Sequence, residues 1–207
     1  GSYICEKKEE YGILHKSLPP YEVMETKWLS YGEILSIKLV EEMLEVYYNS
    51  GQFQVTMKCL DALYEDSFGF FLKLGEFYER KGYLAMNHSR IRRCEILLEF
   101  FQEEGTIPMD LAKESLIFDL YYRENIKSRP IWAVNPSVFA HMTKKHCKNG
   151  KMTHIEPFFY HFPWAGEEIK ELPRRLSEEI YVEFDYRKRD ALNHQAEIRE
   201  YRKEELI

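Results

Sequence analysis

The residues best suited to chemistry lie toward the C-terminal third: His141, His146 and Cys147, followed by His154 and His161. Imidazole and thiolate are the usual ligands of zinc, and a thiol beside an imidazole can serve as a nucleophile. These residues therefore raise the reading of a small metal-dependent or hydrolytic enzyme built on His141, His146 and Cys147. The spacing argues against it. Positions five apart on a helix diverge by about 140°, whereas chelating pairs sit at i and i+4 on one face. Histidines near a helix end that cap carbonyls or face water fit the pattern better, and no metal site is expected.

A second group, His88, Arg90, Arg92 and Arg93, sits where a helix should begin. Basic side chains at a helix start suit an anion, which makes His88, Arg90 and Arg93 anion-binding candidates. The competing reading is a solvated face whose charges pair with Glu95 and Glu99. A third group, Tyr47-Tyr48-Asn49-Ser50-Gly51-Gln52-Phe53, mixes aromatics with adaptable polar residues, as partner surfaces do. A buried corner between two helices accounts for it equally. Trp28 and Tyr31 just upstream join Tyr47, Tyr48 and Asn49 as interface candidates. No P-loop, G-x-S-x-G, G-x-G-x-x-G or H-E-x-x-H is present, and acidic pairs such as Glu41-Glu42 are too common to signal acid–base catalysis.

The elements that must position these groups are mostly helices. Ser30 and Glu33 have the spacing of a capping box, and Ile37, Val40, Leu44 and Tyr47 recur at helical period before Gly51 ends the run. Phe53, Met57, Leu60 and Tyr64 mark a second helix. Asp66 or Ser67 opens a third that Gly82 stops, and Ser89 opens a fourth that Gly105 stops. A fifth runs from Leu111 to about Asn125. Asn135-Pro136 opens a sixth that ends at Asn149-Gly150. Beyond it, Ile180, Val182, Phe184 and Tyr186 alternate with Tyr181, Glu183, Asp185 and Arg187, the pattern of a half-buried strand. Gln195 to Tyr201 is extended, and Met152 to Phe162 is a candidate third strand. The expected fold is mainly α within the α+β class: about six packed helices, then a small antiparallel sheet near the C-terminus. Residues 1–29, broken by Pro19-Pro20, read as a connector, residues 30–150 as a helical domain, and residues 151–207 as a β-rich part packed on it.

Composition narrows the classes further. Hydrophobic residues at 44% and charged residues at 31% are an ordinary globular balance, so a packed core is expected. Aromatics reach 15%, so much of that core should be aromatic. A formal charge of −6 is a poor footprint for nucleic acid, and none is expected as a partner. No apolar run approaches the ~18 residues of a membrane span, and residues 1–11 do not resemble a signal peptide. The cysteines, Cys5, Cys59, Cys94 and Cys147, form no C-x-x-C pair, which suits free thiols in a cytoplasmic setting.

The stretch YGILHKSLPPYEVMETKWLSYGEILSIKLVEEMLEVYYNSGQF resembles the junction that follows the catalytic barrel in bacterial cobalamin-binding-type radical SAM proteins, often labelled Fe-S oxidoreductases. Tyr47 to Gly51 is the most specific part. HSRIRRCEILLEFF and FDYRKRDALNHQAEI look like later portions of the same C-terminal domain of unknown function. The resemblance implies a parent that uses an iron–sulfur cluster, S-adenosylmethionine and cobalamin. The C-x-x-x-C-x-x-C cluster motif and the cobalamin domain are absent from this sequence. The expectation is a non-catalytic accessory domain that docks on the radical SAM barrel of its own polypeptide through Trp28, Tyr31 and Tyr48. The alternative is an independent protein- or anion-binding helical module, with a pocket near Arg90 and Arg93.

Overall fold

The computed structural model describes residues 3–140, 152–162 and 171–206. The chain opens with an arm: one helical turn, α1 (Tyr3–Glu6), and a short hairpin of β1 (Leu14–His15) with β2 (Val23–Glu25). Pro19-Pro20 lies in the hairpin turn, where neither residue is asked to donate a ladder hydrogen bond.

Helices α2 (Tyr31–Leu44), α4 (Ser67–Lys81) and α5 (Arg90–Glu104) begin where local chemistry says they should. At the start of α2 (Tyr31–Leu44), Ser30 Oγ accepts from Glu33 N while Glu33 accepts from Ser30 N at 2.8 Å. The last turn of this helix widens into a π-helical segment, Glu45–Asn49, and Gly51 turns the chain at φ +62. α3 (Gln54–Asp61) follows. Asp66 caps α4 (Ser67–Lys81) by accepting from Gly69 N, and Ser89 caps α5 (Arg90–Glu104) by accepting from Arg92 N. Gly82 and Gly105 end these two helices in the left-handed conformation. α6 (Met109–Arg123) starts directly after Pro108. The sixth expected helix starts at Asn135, whose side chain caps a 3-10 turn over Pro136–Val138; its expected course past Ala140 lies outside the described residues.

α2 packs on α4, and α6 packs on α3 and α5. Gly75 of α4 allows the first contact, because a Cβ there would stand 3.0 Å from Leu39 Cβ. α6 is the centre of the molecule: Ser115 through Tyr122 are all buried. Its second face carries a sheet of β3 (Thr153–Tyr160), β4 (Arg175–Asp185) and β5 (Glu197–Tyr201), antiparallel in that order. Thr153 pairs with Asp185, and Asp185 with Glu197. Phe118 stacks against Phe158, Phe162 and Phe184 with ring centres 5.4–5.5 Å away. Tyr186 donates to Tyr121 O and Ala196 N to Tyr122 O, so the sheet satisfies carbonyls that the end of α6 leaves open. One aromatic-rich core therefore runs through helices and sheet. The fold is α+β, with five helices of eight residues or more among the described residues.

Two details differ from the sequence reading. Ile37, expected in the buried stripe of α2, is 42% exposed, and burial on this helix begins only at Val40. β2 of the arm touches α2, but among the described residues it leaves Leu35 and Ile37 exposed. The β4 strand was expected to bury one face only, yet Tyr181 through Asp185 are all buried. Its second face is covered by Phe139 and by Leu206 of a terminal turn, α7 (Lys203–Leu206), which with Ile155 and Tyr181 make a small second core. The buried acids on β4 keep partners: Glu183 accepts from Tyr201 Oη at 2.8 Å, and Asp185 accepts from Arg187 Nε at 2.8 Å.

Candidate functional site

The segment Tyr47 to Gly51 divides between two environments. The π-helical turn places Tyr47 fully inside and Tyr48 56% exposed. Tyr47 donates to Arg93 O at 3.1 Å, which commits its proton. The hydrogen bond between Tyr47 and Tyr78 must then run from the Tyr78 hydroxyl to the Tyr47 oxygen. Burial, first of all, raises the Tyr47 phenol well above its usual value. Asn49 is exposed and donates to Glu45 Oε1 at 2.6 Å; Ser50 donates to Val46 O at 2.8 Å. Arg123 of α6 holds Ser50 O at 3.0 Å. The corner reading thus describes Tyr47 and Phe53, and the surface reading describes Tyr48 and Asn49.

The basic group at the head of α5 also divides. Arg90 is largely buried; its guanidinium donates to Asp119 O and to Gln52 O at 3.3 Å and pairs with Glu124 at 3.3 Å. It ties the turn after α2 to the end of α6 and does not line the nearby cleft. Arg92 pairs with Glu95 at 3.2 Å and Glu99 at 2.8 Å. Arg93 is different. It lines a cleft of about 220 Å³ between α2, α4 and the loop before α5. Glu42, Met43, Val46, Tyr78, Leu84 and His88 share that cleft. His88 Nε2 donates to Tyr83 O at 2.8 Å, which fixes its ring against Tyr78 and Tyr83. Burial pushes the Tyr78 phenol up to about 12; the bond to Tyr47 and the charges of Arg93 and Arg92 oppose that rise, and Glu42 adds to it.

The interface candidates Trp28 and Tyr31 sit on the arm and the first turn of α2, 63% and 48% exposed. They belong to a continuous tract, residues 3–39, in which no described side chain is buried. The arm is nevertheless organised. Lys27 lies over the Trp28 ring, whose centre is 5.3 Å from that of Tyr11. Glu22 pairs with Lys16 at 2.5 Å and with Lys38 of α2 at 2.8 Å, and those hydrogen bonds hold its carboxyl down to about 2.

One cluster escaped sequence reasoning. Arg129 grips both oxygens of Glu156, which is 1% exposed; Glu156 Oε1 also accepts from His154 Nε2 at 2.5 Å. The His154 ring stacks on Tyr121 at 3.7 Å between centres, and Arg129 donates to the Tyr121 hydroxyl at 3.2 Å. Beside it lies a cavity of about 120 Å³ lined by Glu114, Arg129, Trp132 and Glu156. Burial pushes the Glu114 carboxyl up to about 7, although it accepts from Phe159 N at 2.7 Å. Titration near neutrality is a property of proton-transfer groups. Here the same oxygen joins α6 to β3. Arg129 and Glu156 stand 27 residues apart in the chain, and Glu114 and Phe159 stand 45 apart, so their spacing carries no motif.

The histidine and cysteine group of the sequence reading falls mostly elsewhere. His141, His146 and Cys147 lie outside the described residues. His154 belongs to the cluster above, and His161 lies 3.4 Å from Glu200. Among the described residues no three His, Cys, Asp or Glu side chains are grouped to hold a metal ion. Burial pushes the Cys59 thiol up to about 12 and raises Cys94 further, so both stay protonated at neutral pH. No helix among the described residues is long and apolar enough to cross a membrane.

No curated protein and no solved structure matches the chain. A family model does, over residues 9–198, and its description is a protein of unknown function (DUF4080). Because that match covers the hairpin of the arm, all the long helices and most of the sheet, the chain belongs to the DUF4080 family.

Proposed function

We propose that the chain is a non-catalytic accessory domain that docks, through its arm and the first turns of α2, on a catalytic domain of the same polypeptide. The observation that carries this reading is the unburied tract of residues 3–39. Leu18, Tyr21, Trp28, Tyr31, Leu35 and Ile37 within it are all between 42% and 73% exposed. Contiguous exposed apolar surface marks an interaction site. The ion pairs of Glu22 and the stacking around Trp28 hold this surface in one shape, which lowers the entropy lost on docking. A partner in the same chain also needs little intrinsic affinity, since linkage supplies a high effective concentration.

The partner we assign is a radical SAM barrel of the cobalamin-binding type, on the strength of the sequence resemblance around Tyr47 to Gly51. The iron–sulfur cluster, S-adenosylmethionine and cobalamin would belong to that parent. The described cysteines do not fit a cluster: Cys59 and Cys94 are buried with protonated thiols, and Cys5 is exposed on the arm. Hydrogen exchange tests the proposal by comparing the full-length polypeptide with the 207-residue chain alone. Docking requires added protection across residues 12–31 and the start of α2 in the full-length protein. Equal exchange in both would overturn it.

A further inference from the structure

We propose that the cleft between α2, α4 and the loop before α5 binds a small zwitterion, a free α-amino acid with an apolar side chain, with Arg93 holding the carboxylate and Glu42 the ammonium. This site is separate from the docking surface and stands whether or not docking occurs.

Two charges at the cleft have no ion-pair partner among the described residues. Arg90 and Arg92, one turn or less away, are both neutralised by acids. Arg93 forms no ion pair among the described residues, and neither does Glu42; yet both line the same cleft of about 220 Å³. A half-buried guanidinium that shares a cleft with an exposed carboxylate gains by accepting a ligand that carries the opposite charges in the opposite order. A simple anion would satisfy Arg93 and be repelled by Glu42. A simple cation would meet the converse problem. A zwitterion meets neither. The lining is mixed: Val46, Leu84 and Met86 supply apolar side chains, and Tyr83, Asn87 and His88 polar ones. The apolar ones suit a short aliphatic side chain. The volume lies below the ~300–1,000 Å³ of sites for drug-sized ligands, which favours a molecule of amino-acid size.

The cleft is also preorganised. Tyr47 donates to Arg93 O, and Tyr78 donates to Tyr47, so the backbone that carries Arg93 is fixed to α2 and α4. His88 is fixed by Tyr83 O.

The test uses the 207-residue chain and nuclear magnetic resonance titration with three probes of equal carbon skeleton: L-leucine, L-leucinamide and 4-methylpentanoate. Leucine should shift resonances of residues 42–46 and 83–93. The amide, which lacks the carboxylate, and the fatty acid, which lacks the ammonium, should each bind at least about tenfold more weakly. Arg93→Gln should erase the preference for leucine over leucinamide, and Glu42→Gln the preference for leucine over 4-methylpentanoate. Both side chains reach solvent and neither serves the core, so unchanged melting of the variants is the control for folding. The proposal is overturned if 4-methylpentanoate binds as tightly as leucine, which would make the cleft an anion site. It is equally overturned if leucine produces no localised shifts at about 10 mM.

Discussion

Glu114 shows how one side chain can set the pH response of this fold. Its folded carboxyl holds a proton up to about pH 7, while in the unfolded chain the proton leaves near the usual carboxylate value. Between those two values the folded state binds more protons, so the stability from this group is fully present below the unfolded value and is lost as pH rises through about 7. Glu114→Gln keeps an acceptor for Phe159 N and removes the titration. Relative to that variant, the wild type should lose on the order of 2 kcal/mol between pH 5 and pH 8. Urea unfolding at the two pH values measures it. Asp119, which burial pushes up to about 6, is present in both proteins and cancels. A difference that stays constant with pH would mean that Glu114 is ionised normally.

At the scale of elements, α3 is the helix whose start is least supported by its own sequence. Its N-cap residue is Phe53, which has no capping side chain. The cap comes instead from α6, where Asp119 accepts from Val55 N and Thr56 N at 2.9 Å each. A fully buried carboxylate at a helix N-terminus also meets the positive end of the dipole. Asp119→Ala leaves two buried donors unpaired and separates α3 from its support. The expected loss is about 2–3 kcal/mol, read as a lower urea midpoint with an unchanged slope. Asp119→Asn retains one acceptor and should lose less. An alanine variant as stable as the wild type would show that α3 is held by its apolar face alone.

At the scale of the whole molecule, the core and the arm behave as different kinds of structure. The core is closed on itself by aromatic packing from α6 outward. The arm and the first turns of α2 contribute no buried residue to it. Replacing Trp28 and Leu35 together by Ser should therefore change the melting of the isolated chain little, within about 0.5 kcal/mol per substitution. The same pair of changes should destabilise the full-length protein if the arm is buried there. A melt lowered equally in both contexts would make these residues part of the domain's own core and remove the ground for docking.

Local chemistry settled a good part of this outcome from the sequence. Capping at Ser30, Asp66 and Ser89 and the stops at Gly51, Gly82 and Gly105 depend on neighbours a few residues away, so they were legible without the fold. So was the switch from helical period to alternation after residue 151. What distance in the chain hides, the tertiary structure decided. Asp119 caps α3 across more than sixty residues, and Arg129 meets Glu156 across 27. Neither meeting has a local signature. The two-sided burial of β4 depends on Phe139 and Leu206 arriving from elsewhere, and the exposure of Ile37 depends on the arm reaching α2 without covering that side chain. The three arginines of α5 make the same point. Their spacing is that of one basic patch, but packing sends Arg90 inward, pairs Arg92 with acids, and leaves Arg93 lining a cleft with no ion pair among the described residues. Residue type and spacing state which charges are present; only the packed surroundings state which of them are already neutralised, because ion pairing is a property of proximity in space.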